Sequence, residues 1–96
     1  MPILSLDEAK TWLRVDKDDE DETIQMLIGA AESYLRNATG IEFDDQNQLA
    51  KLFCVVLVTD WYENRTLAGE GPSEKVRFTI QSMTAQLQSA YSQTEV

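Results

Sequence analysis

The chain has no histidine and only one cysteine among its 96 residues. The missing histidine removes the Ser/His/Asp and Cys/His nucleophilic arrangements and the usual zinc and iron ligands. With Cys54 alone, no internal disulfide can form. It sits inside the most apolar segment, where a small buried hydrophobe is the ordinary reading. Proline occurs only at 2 and 72, and glycine only at 29, 40, 69 and 71, so long windows run without a breaker. The longest apolar run, Leu52–Val58, covers seven residues, far short of the ~20 that a membrane helix needs. The opening MPILSLDEAK has no basic stretch followed by an apolar one, so the expectation is a cytoplasmic protein without a signal peptide. Basic residues are also scarce. Eight Lys and Arg stand against seventeen Asp and Glu, a net charge of −9. The eight are scattered, which leaves no basic patch to displace counterions from DNA phosphates. An acidic chain can still surround DNA without gripping it, or dock on a basic partner.

What is present is helical periodicity. The length fits one domain spanning 1–96. Ser5-x-x-Glu8 is a capping box, and Asp7 and Glu8 suit the positive end of a helix dipole, so a first helix is expected over about 6–14. A second is expected over about 19–38. Ile24, Leu27, Ile28, Ala31, Leu35 and Ala38 share one face, Asp18 or Asp19 serves as cap, and Gly40 takes the left-handed position after Thr39. Gly29 interrupts this helix, either to allow close packing or incidentally. A third is expected over about 46–64, capped by Asp44 or Asp45, and a fourth over about 74–91 on the stripe Val76, Ile80, Met83, Leu87 and Tyr91. Residues 92–96 read as a flexible tail. The fold class is therefore all-α, a compact bundle of about four helices around a central apolar helix.

That central helix is apolar all round. Leu49, Leu52, Phe53, Val56 and Leu57 form one face, with Val55, Val58 and Tyr62 nearly opposite. Two coverings fit the second face, another subunit or the fourth helix with the N-terminal arm. Val55, Val58 and Tyr62 are accordingly candidate subunit-interface residues. Asp60 falls on the core stripe, where a carboxylate requires a partner. Pairing with Arg65 or Arg77 is the preferred reading.

Six of the seven residues from Asp16 to Glu22 are acidic: Asp16, Asp18, Asp19, Glu20, Asp21 and Glu22. A calcium loop fails on spacing. Counted from Asp16, position 6 is Asp21 rather than glycine, and position 12 is Leu27 rather than glutamate. The elbow reads as a solvated helix start. No Gly-rich phosphate loop and no nucleophile–base pair is visible, so no catalytic residue, cofactor site or metal site is assigned.

Three stretches and a fourth, less specific one resemble the small helical head–tail connector, or head-completion, proteins of long-tailed phages. They are LDEAKTWLRVD, then DDEDETIQMLIGAAESYLRNATG, then WYENR at 61–65, then VRFTIQSMTAQLQSAY. Ile41 departs from the pattern, since a basic residue is expected after Thr-Gly. The resemblance implies a structural protein of the virion neck, present in the host cytoplasm during assembly, and not an enzyme. It implies a homo-oligomeric ring below the portal, commonly twelvefold, which extends the DNA channel and receives the next neck or tail-completion protein. DNA would pass without specific binding, and no membrane is involved. By the same analogy, the acidic elbow would line the lumen or face a basic partner. Met83, Leu87 and Tyr91 on the last helix would dock on the portal. Two other classes compete: a small acidic DNA-mimic inhibitor of a basic enzyme or regulator, favoured by the −9 charge, and a metal-dependent enzyme using the elbow carboxylates.

Overall fold

The computed structural model describes residues 3–67 and 70–95, with side chains described except at 67 and 90–95. Four α-helices follow one another: α1 (Leu6–Leu13), α2 (Asp21–Thr39), α3 (Gln48–Glu63) and α4 (Arg77–Glu95), with a 3-10 turn at Arg65–Leu67. No strand occurs among the described residues. The all-α bundle expected from periodicity is what forms.

Local chemistry sets the ends. At α1 the box closes both ways: Ser5 Oγ accepts from the Glu8 amide at 3.1 Å, and Glu8 Oε1 accepts from the Ser5 amide at 3.0 Å. At its other end Arg14 adopts the left-handed region (φ 61), and the Val15 amide turns back to the Lys10 carbonyl at 3.0 Å. Gly40 ends α2 at φ 72, its amide donating to the Arg36 carbonyl at 2.7 Å. Thr39 Oγ1 donates to the Leu35 carbonyl and accepts from the Ile41 amide, so the Thr-Gly pair closes the helix together.

Two caps differ from expectation. The residue before α2 is Glu20, and no side chain caps that helix, because Asp18 is drawn to Lys10 and Glu20 points elsewhere. For α3 the cap is Asn47, whose Oδ1 accepts from the Ala50 amide at 2.9 Å. Asp44 acts one turn earlier, accepting from the Gln46 amide. Helix α4 begins at Arg77 after a turn over 74–76, and it continues to Glu95, past the expected end at 91. Val96 lies outside the described residues.

Helices α2 and α3 form the principal pair. Both α1 and α4 pack against that pair, and α1 and α4 make no contact with each other among the described residues. The core takes Ile24, Leu27, Ile28, Ala31 and Leu35 from α2, Phe53, Cys54, Leu57, Val58 and Trp61 from α3, and Ile80, Met83 and Leu87 from α4. It also takes Ile3 and Leu4 from the extended N-terminal arm. Glu32 holds that arm: its carboxylate accepts from the Ile3 amide at 2.7 Å and the Leu4 amide at 3.2 Å. Tyr34 packs edge-on to Trp61 and tilted against Phe53, with ring centroids 6.3 and 6.2 Å apart.

Candidate interface surfaces

The acidic elbow is partly an internal clamp. Lys10 on α1 reaches Asp21 at 2.8 Å and Asp18 at 3.2 Å, and these carboxylates, Asp21 foremost, hold its ammonium above its ordinary pKa. Glu20 accepts from the Tyr62 hydroxyl and from the Arg65 guanidinium. The tyrosine bond, then the arginine one, lowers the Glu20 pKa, while the same carboxylate raises that of Tyr62. Arg65 also lies over the Tyr62 ring, 5.2 Å from its centroid. Asp16, Asp18, Asp19 and Glu22 are solvent-exposed, while Glu20 and Asp21 are half-buried.

The end of α3 forms a second anchor. Asp60, 4% exposed, is not paired with arginine as expected. It accepts from the Ser73 amide at 2.8 Å and the Ser73 hydroxyl at 2.6 Å, with Asn64 Nδ2 alongside. Next to it, the Trp61 indole N–H donates to the Gly71 carbonyl at 2.8 Å. Together Asp60 and Trp61 tie down the segment that leads into α4. The sequence signal was present in Ser73, which follows the Gly71-Pro72 breaker, where a backbone amide has no helical partner.

The second face of α3 is covered within one chain. Val55 and Val58 are buried, and Tyr62 is half-buried against Glu20. Of the two coverings that fit this face, burial favours the one from the same chain, since Val58 is 1% exposed here. Met83 and Leu87 likewise face the core, so neither side chain is available as a docking surface. The side chain of Tyr91 lies outside the described residues. Leu52, expected on the core stripe, is instead exposed. Together with Trp12 it lines a groove between α1 and α3 that also includes Glu8, Gln48, Lys51 and Val55. Lys51 and Glu8 are paired there at 2.6 Å, and the lysine hydrogen bond lowers the Glu8 pKa.

Little here supports bond-making chemistry. Burial pushes the Cys54 thiol up to about 12, with Glu32 adding to the effect. Among the described residues no three His, Cys, Asp or Glu side chains gather as a metal site, and no helix is long and apolar enough to cross a membrane.

A family model described as phage gp6-like head–tail connector protein matches residues 3–93. The chain belongs to this family. No curated protein and no solved structure matches it. The stretches that carry the connector resemblance turn out to be joined in space. LDEAKTWLRVD supplies Lys10, the elbow supplies Asp18, Glu20 and Asp21, and WYENR supplies Tyr62 and Arg65 to the contacts between them. In this connector, residues dispersed over fifty-five positions fix how α1, α2 and α3 meet.

Proposed function

We propose that this chain is a structural subunit of the phage head–tail junction, without a catalytic step. It assembles as a homo-oligomeric ring on the portal, twelvefold in the virion, extends the DNA channel, and receives the next neck or tail-completion protein. During assembly it resides in the host cytoplasm, and in the particle at the neck. The carrying observation is the connector family match across residues 3–93. The charge fits the role: at −9 the ring wall has little to hold phosphates with, so DNA slides past it. Asp16, Asp19 and Glu22, all exposed, are the elbow residues that would line the lumen or meet a basic partner. The partial pairing of the elbow inside the chain disfavours a DNA-mimic inhibitor, since Asp18, Glu20 and Asp21 already have partners.

Portal docking falls to the outer face and C-terminal end of α4, because its inner face packs on the core. Deleting Tyr91–Val96 keeps Met83 and Leu87 and should leave the fold intact while weakening portal binding. The primary test mixes this chain with the portal protein of the same phage and determines the mass and symmetry of the complex. A fixed multiple of this chain on the portal supports the reading and gives the ring number. Two folded partners that do not associate would overturn it.

A further inference from the structure

Helix α4 is held to the rest of the chain unevenly. Its root is pinned: Asp60 accepts from the Ser73 amide and hydroxyl, and the Trp61 indole N–H donates to the Gly71 carbonyl. Past the root the hold is thin. Ile80, Met83 and Leu87 are the buried side chains α4 supplies, against five from α2 and eight from α3. Among the described residues, one hydrogen bond ties α4 to another helix, from Gln88 Nε2 to the Ala38 carbonyl at 3.3 Å, and it is exposed. No ion pair does so, since Arg77 pairs with Glu74 in the turn before the helix. Helix α1 differs: Ala9 is its one buried residue, but Lys10–Asp21 and Glu8–Lys51 tie it to α2 and α3.

Little in α4 keeps it helical by itself. No acid in its first turn and no base in its last answers the helix dipole. Arg77 and Glu95 are its only charged residues, so no i,i+4 ion pair supports it. Thr79 and Ser82 on its solvent side are weak helix formers. A helix of this length without packing is marginal in water, so release from the α2–α3 pair unwinds it. Because α1 and α4 do not touch among the described residues, that release leaves the contacts of α1 in place. We infer that α4 opens as a unit about the turn at 74–76, while its root stays fixed to Asp60 and Trp61 and α1–α3 stay folded. The open form uncovers the α2–α3 surface beneath α4 and frees the Ile80, Met83 and Leu87 stripe, apolar area that the closed chain hides. Such sub-global opening belongs to the element with the fewest buried contacts. It is a property of the single chain and does not depend on the connector reading.

The test is native-state hydrogen exchange on the full chain, followed by NMR in urea below the unfolding transition. Amides from Gln81 to Gln88 should share one level of protection, at least about tenfold below that of α2 and α3. Their urea dependence should be shallower, because opening α4 exposes less surface than unfolding does. The Ser73 amide and the Trp61 indole N–H should keep the protection of the α2–α3 core. Two variants sharpen the result. Val55 lies on the α1 side of α3, so Val55→Ala should lower protection in α2 and α3 and leave α4 as in the parent. Met83→Ala weakens the closed form itself and should lower protection in α4 and in the core by the same factor, about tenfold or more. The parent measurement decides without either variant, should one fold poorly. Amides of α4 protected to the core level, with the core's urea dependence, would make the four helices one unit and overturn the inference. Protection that declines steadily from Gln81 to Gln88 is end fraying and overturns it too. Exchange of the Ser73 amide at the α4 level would overturn the pinned root.

Discussion

Glu20 and Tyr62, forty-two residues apart, share a hydrogen bond that joins the acidic elbow to the end of α3. Because this bond and the Arg65 pair favour the carboxylate, Glu20 has a lowered pKa in the folded chain. A lowered carboxylate pKa means that the unfolded state binds protons more readily. Its contribution to stability is therefore complete above the ordinary value of 4.5 and is lost as pH falls through the folded value. Glu8, lowered by Lys51, acts in the same direction. The melting temperature should fall as pH drops below about 4.5. Glu20→Gln removes one titrating group and should make that fall shallower, at the cost of a lower melting point at pH 7. Thermal melts from pH 3 to 7 decide the matter; parallel curves for parent and variant would contradict the clamp.

Two glycines on α2 should respond oppositely to the same substitution. A Cβ at Gly29 meets no atom within 4 Å, and its backbone is ordinary helix. Gly29→Ala should therefore stabilise the chain by about 1 kcal/mol, the difference in helix propensity. Gly40 also has open space around it, but it sits at φ 72, where a side chain is strained. Gly40→Ala should destabilise by about 1 kcal/mol. Urea unfolding of both variants measures the pair, and a destabilised Gly29→Ala would show that the α2 backbone is not free to take a methyl group.

Features set by neighbouring residues were legible in the sequence. The Ser5–Glu8 box, the Gly40 terminus and the helical identity of Leu52–Val58 each depend on a short window, and each was read correctly. Features decided by competition among similar groups were not. Several acids precede α2, and which one serves as what depends on Lys10, Tyr62 and Arg65, residues that only the tertiary fold brings there. Asp60 had arginines close in sequence, yet Ser73 offers both an amide and a hydroxyl where the Trp61–Gly71 bond holds the loop. An all-round apolar helix shows that α3 is covered; it carries no information on whether the cover comes from the same chain. Of the candidate interface, the exposed face was the hardest part to read, because Leu52 looks like a core residue by type and by spacing.

Asp60 should behave as the anchor of the α3–α4 connection. Asp60→Ala would leave the half-buried Ser73 amide and hydroxyl without an acceptor, a loss on the order of 1–3 kcal/mol. The accompanying local sign is faster hydrogen exchange at the Ser73 amide than in the parent, beyond what the global loss of stability explains. If that amide stays as protected as in the parent, Asp60 is not its acceptor in solution.

The N-terminal arm is the remaining element whose weight is easily underestimated. Leu4 lies outside any helix, yet it is fully buried, and the Glu32 carboxylate fixes the backbone on which it stands. Burial decides the cost of truncating a side chain; secondary structure does not. Leu4→Ala should thus destabilise the chain by about 2–5 kcal/mol, as a core helix leucine would. Glu32→Ala should reproduce part of that loss by freeing the Ile3 and Leu4 amides while leaving Leu4 intact. The two substitutions share one structure, so the double variant should lose less than the sum of the singles. Strict additivity in denaturant unfolding would mean that Glu32 does not hold the arm, and that Leu4 reaches the core without it.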